Sequence, residues 1–474
     1  MENKVYWYNC EKYDEKLITE AYQEILVDNG LLDFVTSGMK IGIKVNLVGN
    51  FGPDKAATTH PLLVKKLCEL LIERGAIVTI GDSPGGLFTE SILKSIYKGT
   101  GFLICEEVGA KLNYDVSTSQ LKVEKQVVKT LDVSNWLLEQ DALINFAKLK
   151  SHGMMALSAS VKNMFGIVPG VLKPEYHYRY PNHDDFANML IDINEVFDCK
   201  LNLIDGIIGM EGNGPTQGEP RYIGAILASR KPYPLDVVAC KIIDLDIDNV
   251  YTVSESIKRG LTANYDEIIL NKPIDDIIIK DYKNILPGKS MEFSEKFKGP
   301  FGKIINPIIA KVLTVKPKVK KKECIGCKKC ANICPVNAIE KVKNDRGFYE
   351  PKINKKICIN CKMCQSVCPE ITDIVKVEPI RIYACKNKEF DVRMSSSSGG
   401  TFLELAKKIF ESDGSVYGAA FNDENKVVHI KAENEIEFEP IKKSKYVQSD
   451  VGNIYESLEE DLKKGRKVIF SGTP

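Results

Sequence analysis

Between residues 323 and 369 the chain reads ECIGCKKCANICPVNAI, then a polar interval holding Gly347, then ICINCKMCQSVCPE. The pattern C-x2-C-x2-C-x3-C-P thus occurs twice, and eight of the fourteen cysteines lie within it. Three thiolates two residues apart let a short loop wrap one cube of iron and sulfide, each tight turn delivering a sulfur to a different iron. In paired runs the fourth cysteine serves the other cube. The spacing therefore predicts two 4Fe-4S clusters, one on Cys324, Cys327, Cys330 and Cys368, the other on Cys358, Cys361, Cys364 and Cys334. Gly326 and Asn360 suit the left-handed backbone of such turns, and Pro335 and Pro369 keep each loop from running on as helix. Structural zinc and disulfides are the competing readings. Zinc takes four ligands per ion and needs neither a third evenly spaced cysteine nor a following proline.

A second set of chemical residues sits where apolar runs end. IGIKVNLV (41–48), HPLLVKKLCELLIERG (60–75), AIVTIGDSPGG (76–86) and a helical stretch from Thr89 to Gly101 alternate strand and helix, which predicts a mostly parallel sheet covered by helices. DALINFAKLK (141–150), LNLIDGIIGM (201–210) and an apolar helical run from Pro234 to Leu245 continue that domain. Ligands of such sheets bind in loops after strand ends. Asp82, Ser83, Pro84, Gly85 and Gly86 are expected to follow the strand AIVTI. Lys148, Lys150, Ser151 and His152 are expected to follow DALINFA, with Lys162 and Asn163 in SVKNMFG, and Asp205, Glu211, Gly212, Asn213 and Gly214 to follow LNLID. Together they would line one cleft for an anion or a metal-anion pair. The bland alternative is a glycine turn beside a solvated loop.

Length and composition bound the rest. With 474 residues the chain has room for two to four domains. The balance of 65 basic and 64 acidic residues removes the argument for a nucleic-acid surface. The start, MENKVYWYNCEKYDEK, lacks an apolar signal region, and no apolar run approaches the ~18 residues of a membrane span; FGKIINPIIAKVLTV at 301–315 is interrupted by Lys303, Pro307 and Lys311. The other cysteines, Cys10, Cys68, Cys105, Cys199, Cys240 and Cys385, are scattered singly, as in reduced cytoplasmic proteins. A cytoplasmic, anaerobic setting is expected.

The division expected is an α/β domain at 1–295, a linker at 296–316, a small α+β two-cluster module at 317–373 and a partial α/β unit at 374–474, an α/β multidomain protein as a whole. Lys316, Lys318, Lys320, Lys321 and Lys322 crowd around Pro317, either as a solvated linker or as a docking patch for an acidic electron partner. In the last unit a helix from Thr401 to Glu411, strands SVYGAAF and VVHIKAEN, a helix from Ile454 to Gly465 and a strand KVIFSG follow in order. Ser395, Ser396, Ser397, Ser398, Gly399 and Gly400 precede the first helix, and could cradle a phosphate or form a capped turn.

Three resemblances attach to these residues. The cysteine runs resemble the bacterial two-cluster ferredoxins. KVNL, GDSPGG, KLKSHGMMALSASVKNMFGIVPG and LIDGIIGMEGNGPTQGEP look like the domain-of-unknown-function 362 family, whose members are often fused to ferredoxin modules and from which no catalytic residue is carried over. SSSSGG, GSVYGAAF, VVHIKAE, SKYVQSD and KVIFSGTP resemble the N-terminal part of the beta subunit of the coenzyme deazaflavin-reducing hydrogenase and dehydrogenase family. That resemblance implies iron-sulfur clusters, FAD and electron transfer to a flavin or deazaflavin, with residues 395–400, Lys445 and Tyr446 as cofactor contacts. It ends at Pro474, where members of the family continue for a further domain's length, so the chain is expected to be a fragment or its FAD site incomplete.

The expected function is electron transfer through two low-potential 4Fe-4S clusters within an oxidoreductase, exchanging electrons with a soluble ferredoxin or flavoprotein. Two alternatives stay open. In one the clusters only staple two domains. In the other a metal- or phosphate-dependent reaction occupies the 1–295 cleft, with the clusters as accessory.

Overall fold

The structure is a computed structural model of the 474-residue chain. It describes residues 3–288, 324–345, 347–358, 363–371, 381 and 383–472, apart from the side chains of Tyr178 and Ser366. Cys361, Asn360, the 296–316 linker and the lysine run at 316–322 lie outside the described residues. The chain forms two compact units, Met1–Val315 and Lys316–Pro474.

In the first unit, alternating apolar residues make strands and amphipathic stretches make the helices over them. Strands β1 (Lys4–Asn9), β2 (Lys40–Lys44), β3 (Ile77–Gly81), β4 (Lys111–Leu112), β5 (Thr118–Lys122), β6 (Thr130–Ser134), β7 (Ala142–His152), β8 (Ala156–Ser158), β9 (Leu201–Glu211), β10 (Glu219–Ser229) and β11 (Ile269–Leu270) follow in chain order. Among the described residues the main sheet has nine strands in the order β11-β1-β10-β9-β7-β2-β3-β4, with β8 against β7. Neighbours from β9 to β4 are parallel, while β10 runs antiparallel to both β1 and β9. The fold is α/β with a mostly parallel central sheet.

Helices α1 (Glu15–Tyr22), α2 (Pro61–Glu73) and α3 (Glu90–Thr100) cover one region of the sheet. Pro61 opens α2 at a position where its missing N–H costs nothing, and Thr89 caps α3, its hydroxyl accepting from Ile92 N. Gly101, at φ +80°, ends α3 in the left-handed conformation that glycine takes freely. Farther along come α4 (Ser160–Asn163), α5 (Lys173–Arg179), α6 (His183–Phe197), α7 (Pro232–Ile242) and α8 (Tyr251–Lys258).

The 11-residue strand β7 is buried along its whole length. Side chains two apart share a face, so Ile144 and Phe146, which join one apolar core, are followed on the same face by Lys148 and Lys150. The sequence expectation that Lys148, Lys150, Ser151 and His152 form a loop after the strand is corrected here: all four belong to β7. Asp205 and Glu211 likewise belong to β9. Pairing across the sheet, with a register shift between Lys148 and Lys150, carries both strands past the point where lysine would normally signal an exit to water.

In the second unit, β12 (Ile339–Lys343) pairs antiparallel with β13 (Tyr349–Ile353) beside the cysteine loops. A three-stranded sheet of β14 (Ser415–Phe421), β15 (Val427–Ala432) and β16 (Val468–Phe470) packs with the helices Thr401–Phe410 and Ile454–Lys463. The two parts of this unit touch. Tyr349 N and Ile325 O bond to the Gln448 side chain at 3.1 and 3.3 Å, and Lys328 pairs with Asp450.

Candidate functional site

The cysteine loop turns where the sequence says it should, with Gly326 at φ +68°. A Cβ there would lie 2.0 Å from Gln448 Nε2, so both the turn and its packing demand glycine. Cys324, Cys327, Cys330 and Cys368 line one cavity, together with Cys364, Pro369 and Tyr349. Three of those five thiols come from the first run and Cys364 and Cys368 from the second, and of these two it is Cys368 whose charge bears on Cys324 and Cys330. Among the described residues no three His, Cys, Asp or Glu side chains converge on a point for a single ion. The thiols instead surround a shared space, as four sulfurs on four different irons would require.

Burial, reinforced by Cys327 and Cys324, pushes the Cys330 thiol up to about 11; burial also raises Cys324. Such thiols give up their protons when a metal supplies the compensating charge, which is what this donor set fits. Of the second set, Cys334 accepts a bond from Ala338 N at 3.2 Å, and hydrogen bonds to sulfur tune a cluster's potential. Cys358 and Cys364 are half-buried.

A second cavity in this unit, of about 340 Å³, is walled by Gly326 and Cys327 from the cluster loop and by Phe402, His429, Tyr455 and Phe470. His429 and Phe470 are stacked at 5.1 Å, and Tyr455 lies against Phe470 at 5.8 Å. His429 Nε2 faces the Ser471 carbonyl at 3.0 Å and so carries the proton, leaving Nδ1 to accept from the Ser449 hydroxyl at 2.8 Å. Lys442, Lys443 and Lys445 line the same space. Of the predicted contacts, Lys445 is on the wall, while Tyr446 points away and is 92% exposed. Ser395 and Ser396 hydroxyls bond back to Val392 O, Ser397 accepts from Ser444 N, and Gly400 at φ +76° starts the helix Thr401–Phe410. Sequence reasoning did not single out His429, although a histidine inside the strand VVHIKA was a visible signal.

The first unit holds a cavity of about 470 Å³ at the ends of β2, β3 and β7, where parallel sheets bind ligands. Asp82, Ser83, Lys150, Lys162 and Asn163 line it as grouped from the sequence. Lys44, Lys173 and His177 join them. Lys44 was legible as a lone cation inside IGIKVNLV; Lys173, in VLKPE, carried no such mark. Lys44 Nζ lies 2.9 Å from Asp82 Oδ1, and Lys150 Nζ donates to Asn46 Oδ1 and Ala57 O, both at 2.8 Å.

An amide ladder fixes this wall. Asn46 Nδ2 donates to Asn163 Oδ1, Asn163 Nδ2 to Asn145 Oδ1, and Asn145 Nδ2 to Asn202 Oδ1, all within 3.0 Å. Asp82 also accepts from Leu47 N at 2.7 Å, and Gly170 N donates to Ser83 Oγ at 2.8 Å. A Cβ on Gly166 would fall 2.0 Å from Asp82 Oδ1 and 2.4 Å from Lys44 Nζ. Gly166→Ala is therefore expected to cost about 1–3 kcal/mol and to split the Lys44–Asp82 pair, read as faster amide hydrogen exchange at Leu47 and Ser83.

Lys148 and Asp205 do not join this wall. They form an ion pair of 2.9 Å buried to 1% and 0% exposure, closed by Tyr13 and His60. His152 is buried, its Nδ1 accepting from Met154 N, and burial next to Lys162 and Lys150 drives its imidazole well below the ordinary value.

Comparison with known proteins matches both regions. Residues 41–241 match the model of the Domain of unknown function (DUF362), and residues 323–371 match that of the 4Fe-4S dicluster domain. The chain carries a DUF362 domain and a 4Fe-4S dicluster domain. The DUF362 domain holds the lysine-lined cavity, and the dicluster domain the cysteine loops. The chain is 29% identical over 240 residues to "Thylakoid-associated protein sll1697" of Synechocystis sp., covering 50% of this chain and 74% of that one. Among solved structures it is similar to the lactate racemase apoprotein from Thermoanaerobacterium thermosaccharolyticum, at 13% identity, TM-score 0.33 and coverage of 49% and 55% of the two chains. It is also similar to a protein from Thermotoga maritima, at 14% identity, TM-score 0.25 and coverage of 44% and 53%. The chain spans about half the length of these solved structures. Among the described residues no helix is long and apolar enough to cross a membrane.

Proposed function

We propose that this chain is an iron-sulfur electron-transfer protein in which eight cysteines hold two 4Fe-4S clusters in crossed fashion, and that it serves an oxidoreductase in the cytoplasm. The observation that supports this reading is the shared cavity of Cys324, Cys327, Cys330 and Cys368, three thiols of one run closed by the last thiol of the other. Bound there, the clusters would supply one-electron transfer at a potential set by burial and by bonds such as Ala338 N to Cys334 Sγ.

The aromatic cavity supports the finer part of the reading, a planar redox cofactor of the flavin class. Tyr455, Phe470 and His429 form an aromatic cluster on the wall against which a ring system could pack, and Lys442, Lys443 and Lys445 offer positive charge to its phosphates. Gly326 and Cys327 wall this cavity as well as the cluster cavity, so the two sites share backbone.

Anaerobic preparation of the natural chain tests both parts, with iron, sulfide and flavin counted per polypeptide. About eight irons with one flavin supports the whole reading. Bound zinc in place of iron removes it, and eight irons in a chain that takes up no added flavin removes the cofactor alone. Tyr455→Ala is expected to weaken flavin uptake about tenfold while leaving the iron count unchanged, because the ring contributes stacking only.

A further inference from the structure

The cavity in the DUF362 domain has a charge balance that calls for a ligand. Four lysines, Lys44, Lys150, Lys162 and Lys173, stand on its wall, and Asp82 is the one carboxylate among the wall residues. Lys44 uses that carboxylate, Lys150 is bonded only to neutral oxygens, and Lys173 bonds to the Ser83 carbonyl. Lys162 has neither a hydrogen-bond nor an ion-pair partner among the described residues. Lys44 and Lys150 are buried while Lys162 and Lys173 are half-buried, so the wall gathers positive charge in excess of its counter-charge, a cost that is recovered when an anion enters.

The wall is built, not incidental. β2 and β7 supply Lys44 and Lys150 from the buried sheet, and α4 and α5 supply Lys162 and Lys173. The amide ladder through Asn163 fixes the residue next to Lys162, and Asp236 holds the start of α4 by accepting from Ser160 N and Val161 N at 2.7 and 3.1 Å. Along the rim Gly85 and Gly86 have open space where side chains would stand, which leaves backbone accessible to a ligand. The volume of about 470 Å³ lies within the ~300–1,000 Å³ usual for small-molecule sites.

We infer that this cavity is the binding site of a small organic polyanion, a molecule carrying at least two negative charges on phosphate or carboxylate groups that are met by Lys150, Lys162 and Lys173. The donor set repels a lone cation, so the metal-first alternative for this cleft is not favoured by its chemistry. Burial, with Lys173 and Lys44 nearby, lowers Lys162 to about 7, and burial, partly offset by Asp82, lowers Lys173 to about 8. The other groups facing them are Lys44, Lys150, Asp82, His152 and His177. A bound anion raises the lysine values, so binding takes up protons. Affinity is greatest below the free-site values and falls as pH rises through them.

Calorimetric titration of the full chain with its clusters in place tests this, using inorganic phosphate, pyrophosphate and citrate as separate probes at about pH 6.5 and pH 9. Buffers of different ionisation enthalpy report the proton count. At least one probe is expected to bind, about tenfold tighter at the lower pH when affinity is referred to its fully ionised form, with net proton uptake by the protein once the probe's own change of ionisation is subtracted. Lys162→Met and Lys173→Met should each weaken it at least tenfold, and Lys16→Met, on an exposed face of α1 away from the cavity, should leave it unchanged. Preference for pyrophosphate over citrate assigns a phosphorylated ligand, and the reverse a polycarboxylate. Absence of binding by all three probes, or binding indifferent to Lys162→Met and Lys173→Met, overturns the inference. Unchanged amide hydrogen exchange in β7 keeps a failed fold from being read as a lost site.

Discussion

Replacing Cys368 by serine is expected to remove the same cluster that replacing Cys324 removes, although the two residues belong to different runs. Each variant should retain about four irons in place of about eight, and the two should leave one and the same paramagnetic resonance spectrum on reduction. Cys334→Ser should group instead with Cys358→Ser. The reason is the shared cavity, where Cys368 stands with Cys324, Cys327 and Cys330. The effect is large because three remaining thiols leave one iron without its sulfur. If Cys368→Ser instead matches Cys358→Ser in iron content and spectrum, each run serves its own cluster and the crossed assignment is wrong.

How much of this was legible depends on whether the signal was local. The dicluster domain was readable because its thiol spacing, glycine and proline all lie within a few residues of one another. Alternation of strands with helices was equally local, since burial imposes its period on each element separately. The end of β7 was not. Lysine normally marks the return to solvent, and Lys148 and Lys150 looked like a loop. What keeps them inside is distant in sequence: Asp205 for Lys148, Asn46 and Ala57 for Lys150. The grouping of Asp82, Ser83, Lys150, Lys162 and Asn163 rested on topology, because strand ends of a parallel sheet share one edge. Lys148 and Asp205 share that edge too, yet they close on each other beside Tyr13 and His60. No pattern in either strand distinguishes a residue that lines a cavity from one that is paired off away from it. Aromatic residues of the C-terminal cavity were hidden for a similar reason, since Phe402, His429, Tyr455 and Phe470 come from separate elements that meet only in the fold.

That buried pair gives the second large expectation. Asp205→Leu should destabilise the first unit by about 3–5 kcal/mol, and Lys148→Met should cost distinctly less. The asymmetry follows from what each change leaves behind. Without Lys148 the carboxylate still accepts from the Tyr13 hydroxyl and His60 N, each at 2.9 Å. Without Asp205 the ammonium keeps only the Tyr13 oxygen at 2.9 Å, while Tyr13 and His60 N each lose an acceptor. The double variant removes both charges but leaves the two donors unpaired, so it should fall between the two single variants and not recover fully. Burial lowers Lys148 below the ordinary lysine value and Asp205 partly restores it. In Asp205→Leu the folded-state value drops further while the unfolded one stays put. The deficit is then greatest at low pH, where the folded chain must hold a charged lysine, and shrinks as pH rises towards the unfolded value. Amide hydrogen exchange in β7 and β9 of the full chain, followed against pH, reads this directly. A deficit that is the same for both single variants and flat with pH would mean that the pair is only a packing element, with no net electrostatic role in holding β7 against β9.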